Sequence, residues 1–535
     1  MIKNFFRYHP PKEAYHTDIS SYPKENLIIP PQKVEKDIEK NLSYAKELFS
    51  YPDNGDIIIR EFTISVKDKT YKAFILFCDG LTSSDSINKS LLAPFMYMRN
   101  VPPDETATLT DIIKHQILPQ NQVTVTDDIT QILEGVNFGM CALFVDSLKN
   151  GFSIDLKSWE HRGIQPPQNE TVILGPHEAF NEILRTNTGL IRKTLNTSRL
   201  IMENMTIGKT SKTPVSIAYI KGVVNPDLLK EVKKRISGLD AEYLFTAMEL
   251  QQMIEDHPYA RMPQMIVTER PDKAAKELTL GKIVILVSGS PNALVLPATV
   301  FDFTKSPEDE YLRFPFAVFI SIIRTIALIL ALFTSAVFIA LTNFHQDLIL
   351  TNILFPIISS RQLVPFPSIV EILLLEIAFE LIKEAGVRVP NPMGPTIGIV
   401  GGLILGQAAV TAKIVSPLMI IMVAISGLAS FAIPNYSLSF AFRLSRFIYI
   451  FSASIAGIPG ILTAVFVNTI SVFSLTSFGV PFGSPVAPRM RYGIREALFT
   501  VPLWKKEARP GFLKPRDNIK QEKISRSWRY KSRKE

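Results

Sequence analysis

The sequence predicts an α/β N-terminal half made of two cytoplasmic subdomains, then an all-α multi-pass membrane domain with four to six membrane segments, then a basic C-terminal tail. Three observations predict this fold class. Strand-like and helix-like apolar patterns alternate as far as residue 312. Long runs of uncharged, apolar residues follow between residues 313 and 488. Lys and Arg then outnumber acidic residues in 489–535.

The overall composition averages over these unlike parts. The 535 residues are 47% hydrophobic and 20% charged, with a mean hydropathy of +0.17 and a net charge of +8. This apolar content excludes a mostly disordered chain. Residues 489–535 hold 15 Lys and Arg against 5 Asp and Glu, a net charge of +10, which leaves the rest near −2. The charge therefore indicates a tail near anionic membrane lipid, or simply the orientation of the membrane segments, and no nucleic acid partner is predicted.

The N-terminal half divides into three predicted parts. A polar lead ending in a helix occupies residues 1–50, subdomain 1 occupies 51–160, and subdomain 2 occupies 161–312. Alternating β-branched and aromatic residues predict strands, and apolar residues at a period of 3.6 predict helices. The predicted strands are 56–66, 71–77, 140–145, 215–221 and 282–287, and the predicted helices are 34–49, 86–98, 128–135 and 226–236.

The membrane domain, residues 313–488, contains several runs that could cross a bilayer, which needs roughly 20 apolar residues in a helix. The uncharged runs cover residues 325–342, 393–412, 414–442 and 447–488. The N-terminal sequence lacks the apolar region of a signal peptide, so the N-terminal half is expected in the cytoplasm. The basic tail is expected on the same side, because positive residues prefer it. An even number of crossings is therefore expected.

Two arrangements give an even number. One has four crossings, at 316–342, 393–412, 414–433 and within 447–478. The other adds residues 366–383 and lets 447–478 enter the membrane on a short first limb and return, breaking at Gly457-Ile458-Pro459-Gly460. The second is favoured because positive residues prefer the cytoplasmic side. The residues that it places there are Lys383, Arg388, Arg443 and Arg446.

Charged residues on the predicted helix 366–383 are the first functional candidates. Its polar face consists of Glu376, Glu380, Lys383 and the adjacent Glu384. Glu371 lies on the opposite face. Ionisable groups at membrane depth are costly and usually face a bundle interior or water. One interpretation is an interfacial helix or internal salt bridges, and the other is an ion pathway whose acidic groups favour cations. Arg324 is a candidate counter-charge, unless its side chain extends back to the inner membrane surface.

Glycines spaced four residues apart are the second candidate. They are Gly394, Gly398, Gly402 and Gly406. On a helix they form one smooth stripe against which another helix backbone can pack closely. Tight helix packing is one interpretation, and a seam for gating or oligomer formation is the other.

Motifs for enzymatic chemistry are weak. Ile207-Gly208-Lys209-Thr210 resembles the end of a phosphate-binding loop, but Glu203 occupies the position of the required first glycine. The seven histidines show no pair at metal-ligand spacing, and the two cysteines, Cys78 and Cys141, suggest neither a disulfide framework nor a metal site. No catalytic residue, cofactor or metal is predicted. A secondary transporter and a membrane-tethered enzyme remain alternatives.

Six segments match one known family in the same order, and they are 175–195, 268–291, 306–311, 364–390, 397–417 and 476–482. With them the chain resembles, between residues 53 and 491, the A subunit of GerA-type spore germinant receptors. Two positions depart from the family pattern. His177 stands where an Arg is usual, and Ser288-Gly289-Ser290-Pro291 replaces a turn that usually carries an acidic residue. The second departure argues against a role for an acidic residue in that turn.

The resemblance implies a non-enzymatic receptor subunit in the spore inner membrane that triggers germination through an oligomeric cation pathway. It also implies a transporter-like B subunit that recognises the nutrient, a lipoprotein C subunit and further copies of this chain as partners. The residues expected to serve the pathway or its coupling are Glu371, Glu376, Glu380 and Lys383. Glu269, Arg270 and Asp272 are expected to hold a cytoplasmic loop by salt bridges.

Overall fold

The computed structural model of the protein describes residues 32–66, 69–97, 108–157, 166–167, 169–362, 364–388, 402, 404, 406–490, 501–506 and 508–520. Two α/β subdomains come first, and a helical region follows from Phe314. A C-terminal segment then lies against subdomain 2. The predicted order, an α/β half before a helical half, is confirmed.

Subdomain 1 is built on a five-stranded antiparallel sheet with the strand order β1-β2-β4-β5-β3. Its strands and two longest helices are α1 (Ile38–Leu48), β1 (Ile57–Val66), β2 (Lys69–Cys78), β3 (Val123–Thr126), α2 (Ile129–Asn137), β4 (Met140–Val145) and β5 (Gly151–Asp155), and short helical turns lie within residues 84–97 and 109–117. Both faces of β2 are buried because its side chains alternate between two apolar clusters. Ile75 belongs to one cluster, and Phe74 belongs to the other, beneath α1 and α2.

Subdomain 2 has a second five-stranded antiparallel sheet, with the order β6-β7-β9-β10-β8. Its strands are β6 (Leu200–Ile207), β7 (Thr213–Ile220), β8 (Ile266–Thr268), β9 (Ile283–Val287) and β10 (Ala293–Leu296). Its helices are α3 (Leu184–Thr194), α4 (Pro226–Ser237), α5 (Ala247–Ile254) and α6 (Pro271–Thr279). Both subdomains pair their first two and last two strands as hairpins and place the third strand at the far edge. They therefore share one topology, which the sequence did not reveal.

A buried ion pair joins the two subdomains. Arg192 of α3 donates from Nε to Oδ2 of Asp56 at 2.6 Å and from Nη2 to Oδ1 at 2.8 Å. The side chain of Arg192 is fully buried, and the carboxylate of Asp56 balances its charge inside the protein. Next to this pair, α3 touches the turn after β2, where a Cβ on Gly189 would lie 2.9 Å from the carbonyl oxygen of Gly80. A side chain at Gly189 would push the subdomains apart.

The α-helices of this region whose full bounds lie within the described residues are α7 (Phe314–Asn343), α8 (Thr351–Arg361), α9 (Ser368–Arg388), α10 (Pro417–Phe431) and α11 (Tyr436–Phe473). Within the part of the chain that the structure describes, α7 and α11 are the two helices long and apolar enough to cross a membrane. α10 is apolar but shorter. The total of four to six membrane segments stays a prediction.

α11 is a hairpin of two helical limbs. The backbone leaves the helical conformation at Ala456 and at Gly457, where φ is +61°. The limbs fold back on each other, since Nδ2 of Asn468 donates to the hydroxyl of Tyr449 at 2.9 Å, although 19 residues separate them. The predicted break at residues 457–460 is thus confirmed, and the entry of this hairpin into a membrane stays a prediction.

The prediction of a short first limb is wrong. The first limb begins at Tyr436, so it contains Arg443 and Arg446 and is about 30 Å long at 1.5 Å per residue. Two arginines are tolerated inside an otherwise apolar helix because carboxylates of α9 neutralise both. From the sequence, both arginines were expected at the cytoplasmic side because positive residues prefer it, and that preference does not consider partners from other helices.

The beginning of α11 is anchored in subdomain 2. Ile433, Leu438 and Ala441 belong to the same apolar cluster as strand residues of the second sheet. Phe482, beyond the second limb, joins that cluster and is fully buried. Subdomain 2 and both ends of the hairpin therefore share one core.

The C-terminal tail packs on protein where the structure describes it. Phe512 and Leu513 are buried, and the backbone N–H of Arg516 donates to the carbonyl of Val223 at 3.1 Å. The side chain of Lys506 contacts Glu310 at 2.6 Å. From the charge alone, the sequence predicted that the tail lies near lipid or only marks the orientation of the membrane segments. It did not predict that the tail packs on subdomain 2, because the residues that the tail contacts lie far away in sequence.

Candidate functional site

The polar face of α9 meets the first limb of α11 inside the helical region. Nη2 of Arg446 lies 2.9 Å from Oε2 of Glu376 and 3.0 Å from Oε1 of Glu380. Arg443 binds Glu380 with both Nε, at 2.9 Å, and Nη2. We call these four residues the ionic cluster. Its two carboxylates and two guanidinium groups balance in charge.

Hydroxyl groups from two more helices complete the surroundings of Glu376. Its Oε1 accepts from Ser335 of α7 at 2.8 Å and from Ser426 of α10 at 3.2 Å. Ser426 also accepts from Nη1 of Arg446 at 2.9 Å. Glu376 and Arg446 are both fully buried. The cluster thus links four helices at a point where unpaired charges would be very unfavourable.

Lys383 lies beside the ionic cluster with different partners. Its Nζ donates to Oγ of Ser430 at 2.5 Å and lies 4.8 Å and 4.3 Å from the ring centroids of Phe379 and Phe431. Aromatic faces and a hydroxyl hold this cation without neutralising it. When ionised, Lys383 and the four residues of the ionic cluster together carry one excess positive charge.

Glu371 is buried nearer the other end of α9, away from the ionic cluster. Its Oε2 accepts the backbone N–H of Ser416 at 2.9 Å, and its Oε1 lies 3.6 Å from Nε of Arg361. One turn earlier, Ser368 donates to Asn343 at the end of α7 at 2.9 Å. α9 therefore carries buried carboxylates at two depths.

Arg324 is not the counter-charge of α9. Its guanidinium donates to both carboxylate oxygens of Asp309, at 2.7 and 2.9 Å, and to the carbonyl of Thr304 at 3.3 Å. The pair fixes α7 to the segment that precedes it. Arg361, Arg443 and Arg446 instead supply the cations opposite the glutamates of α9.

The glycine stripe is only partly within the described residues, since Gly394 and Gly398 lie outside them. A Cβ on Gly406 would approach the Ile420 side chain only to 3.8 Å, and one on Gly402 would meet no described atom within 4 Å. Tight packing at these two positions is therefore not found within the described chain. The nearest neighbour of Gly406 is a side chain and not the backbone of another helix. A seam between this glycine stripe and another molecule stays a prediction.

Arg270 and its neighbours hold the loop before α3. The fully buried Arg270 donates to both carboxylate oxygens of Asp272, at 3.1 and 2.8 Å, and to the carbonyls of Glu170 and Pro176 at 3.2 and 3.0 Å. Glu269 accepts from Asn169 in the same loop. His177, the first departure from the family pattern, is exposed in this loop.

The segment between subdomain 2 and α7 is tied to both by its acidic residues. We call residues 302–311 the junction. Asp302 accepts from the buried Lys282 at 2.8 Å, and Asp309 binds Arg324. Burial opposes the ionisation of Glu310, but Lys276 and Lys506 outweigh that effect and lower its pKa to about 2. Motion of subdomain 2 would therefore be transmitted to α7.

The second departure, Ser288-Gly289-Ser290-Pro291, forms the turn between β9 and β10. Gly289 has a φ of +84°, which favours glycine, and its N–H donates to the backbone carbonyl of Glu182 at 2.8 Å.

The sequence missed the roles of Arg443 and Arg446 as partners of α9. Their spacing of three residues on an apolar helix was the available signal.

Comparison with known proteins decides the family. The sequence model of the family described as Bacillus/Clostridium GerA spore germination protein matches residues 43–512. The chain belongs to the GerA family. The resemblance stated from the sequence is thereby confirmed, and the GerA match extends over the subdomains, the junction, the ionic cluster and most of the docked tail.

Several named proteins are similar to this chain. Spore germination protein KA of Bacillus subtilis (strain 168) is 35% identical over 93% of this chain and 90% of its own length. A protein of the same organism named uncharacterized membrane protein YfkQ is 34% identical over 89% of this chain and 92% of its own. The crystal structure of the N-terminal domain of the A subunit of the Bacillus megaterium spore germinant receptor GerK3 is 26% identical, covers 50% of this chain and 97% of that one, and has a TM-score of 0.36.

Proposed function

We propose that this GerA-family chain is the A subunit of a nutrient germinant receptor in the spore inner membrane, where it forms or gates a cation pathway. The observation that carries the proposal is the ionic cluster, in which two glutamates of α9 are neutralised by two arginines of α11. Buried acidic groups inside a helical bundle are a means of attracting cations.

The ionic cluster suggests a gate with two states. In the structure the guanidinium groups occupy the carboxylates, which leaves no free negative charge for a passing cation at Glu376 and Glu380. Displacement of the first limb of α11 would withdraw the guanidinium groups and free the carboxylates. Since breaking a buried pair costs about 3–5 kcal/mol, the closed state would persist until a binding event favours the other.

The outer face of α9 offers a surface for the remaining parts of the receptor. Its exposed apolar residues are Val370, Leu374, Ile377 and Leu381. A face of this kind contacts lipid or neighbouring helices. We propose further copies of this chain, a transporter-like B subunit and a lipoprotein C subunit as partners, with no enzymatic activity of the chain itself.

The topology that we propose has six membrane segments with both termini in the cytoplasm. The six segments that we propose are α7, α9, residues 393–412, α10 and the two limbs of α11. Two features support it: the hairpin of α11 returns to subdomain 2, and the described tail packs there as well.

Cation release from spores tests the role of the ionic cluster. Glu376→Gln and Glu380→Gln keep the size of the side chains and remove the charge. We expect nutrient-triggered potassium release to change at least about tenfold in rate, which corresponds to about 1.4 kcal/mol. Glu134→Gln, at an exposed glutamate of α2, is the matched control. If both variant chains are present in normal amounts and potassium release is unchanged, the ionic cluster has no role in cation release.

A secondary transporter is the second candidate, because transporters often contain interrupted helices and α11 is interrupted at Gly457. Uptake of a nutrient by the purified chain in vesicles, without other subunits, would favour the transporter over the receptor subunit.

A further inference from the structure

Arg261, in the loop between α5 and β8, connects subdomain 2 to both limbs of α11. Its Nη1 donates to Oγ of Ser445 on the first limb at 3.0 Å, and its Nη2 donates to Oδ1 of Asn468 on the second limb at 2.7 Å. Asn468 also donates to the hydroxyl of Tyr449 on the first limb at 2.9 Å. One planar guanidinium therefore sets the distance between the limbs at the end nearest subdomain 2.

The loop that carries Arg261 is itself firmly attached. The side-chain amide of Gln264 exchanges two hydrogen bonds with the backbone of His257, at 2.9 and 2.7 Å, and so closes the loop. Ser477, just beyond the second limb, donates to the carbonyl of Gln264 at 2.7 Å. Thr476 donates to Asp256 at 2.7 Å. A displacement of subdomain 2 would therefore carry Arg261 with it.

Ser445 directly precedes Arg446 on the first limb of α11, so a movement of Ser445 also moves the backbone that carries Arg446. Ser445 is buried, and Arg446 reaches Glu376 at 2.9 Å. We propose that Arg261 is a positioning residue through which subdomain 2 holds the first limb of α11, and with it the guanidinium of Arg446, in the place that neutralises the glutamates of α9. This inference rests on the function proposed above and names the contact that couples the cytoplasmic half to the gate.

Arginine is required at this position by geometry. Two acceptors on different limbs are bound by two nitrogens of one rigid fork. A lysine keeps the positive charge, but its single ammonium group cannot hold both limbs in one plane. The variant Arg261→Lys therefore separates positioning from simple charge attraction.

The test uses spores in which the full-length variant chain replaces the original beside its natural partners. We expect Arg261→Lys, Arg261→Ala and Asn468→Ala each to change the rate of nutrient-triggered potassium release by about tenfold, a typical size for coupling between sites. The double variant Arg261→Ala with Asn468→Ala should change it no further, because both single changes remove the same connection. Lys209→Ala, at an exposed lysine paired with Asp240, is the control.

Two results would overturn the inference. Arg261→Lys that behaves like the unaltered chain would reduce the role of Arg261 to charge, and additive effects of Arg261→Ala and Asn468→Ala would show independent roles. If Arg261→Ala fails to accumulate in the membrane, Arg261→Lys and Asn468→Ala decide the matter. Glu376→Gln is measured in parallel: a normal Glu376→Gln spore contradicts the proposed function, whereas an altered Glu376→Gln spore with normal Arg261 variants contradicts this inference alone.

Discussion

At the scale of single residues, the surroundings of an arginine decide what it contributes. Arg185 and Arg192 lie on the same helix, α3, and both pair with an aspartate of subdomain 1. The Arg192 side chain is 0% exposed, whereas that of Arg185 is 64% exposed. Removing Arg192 would leave the charge of its aspartate uncompensated inside the protein. Removing Arg185 would leave a charge that water can solvate.

The first prediction concerns this pair of arginines. Arg192→Ala should lower the free energy of unfolding by about 3–5 kcal/mol, because Asp56 would remain buried without its partner. Arg185→Ala should cost less than about 1 kcal/mol. Urea unfolding of the purified full-length chain in detergent measures both. Equal losses would show that burial of Arg192 does not govern the stability of the subdomain interface.

At the scale of elements, α11 shows how a glycine converts one long apolar run into a hairpin. Gly457 has a positive φ, and the run turns there beside the end of α7. The N–H of Ile458 then donates to Nε2 of His345 at 3.3 Å, which satisfies a donor at the start of the second limb. The hairpin lets both ends of the run reach subdomain 2.

The second prediction tests the turn of α11. A Cβ at Gly457 would lie 2.9 Å from Cβ of Phe344 and from Nε2 of His345, in a backbone conformation that favours glycine. Gly457→Ala should therefore destabilise the chain by about 1–3 kcal/mol. Gly402→Ala, where a Cβ would meet no described atom within 4 Å, should be nearly neutral. Thermal unfolding in detergent compares them, and similar melting temperatures for the two variants would contradict the structure at Gly457.

At the scale of the whole molecule, charge connects parts that are far apart in sequence. Glu310 of the junction binds both Lys276 of subdomain 2 and Lys506 of the tail, at 3.0 and 2.6 Å. Asp309 in the same junction binds Arg324 of α7. Subdomain 2, α7 and the tail therefore meet at residues 302–311.

The third prediction concerns the acid dependence of tail docking. The pKa of Glu310 falls from its ordinary value of 4.5 to about 2, so its contribution is fully present above pH 4.5 and is lost as the pH falls towards 2. Energy transfer between labels on the tail and subdomain 2 should stay constant from pH 8 to about 5 and decrease below about 4. Glu310→Gln should weaken docking already at pH 7. Release of the tail near pH 6 would contradict a role for Glu310.

The sequence by itself determined the order of an α/β half and an apolar helical half, the break at Gly457 and the family. Hydrophobic periodicity, glycine and run length are local properties, so they are readable along the chain. Only the tertiary structure decided the shared topology of the subdomains, the docking of the tail and the partners of each charge. Arg324 binds Asp309, which lies 15 residues before it in the chain, whereas Arg443 and Arg446 bind Glu380 of α9 across 63 and 66 residues. A sequence pattern shows that a buried charge needs a partner, and only the packing shows which one it has.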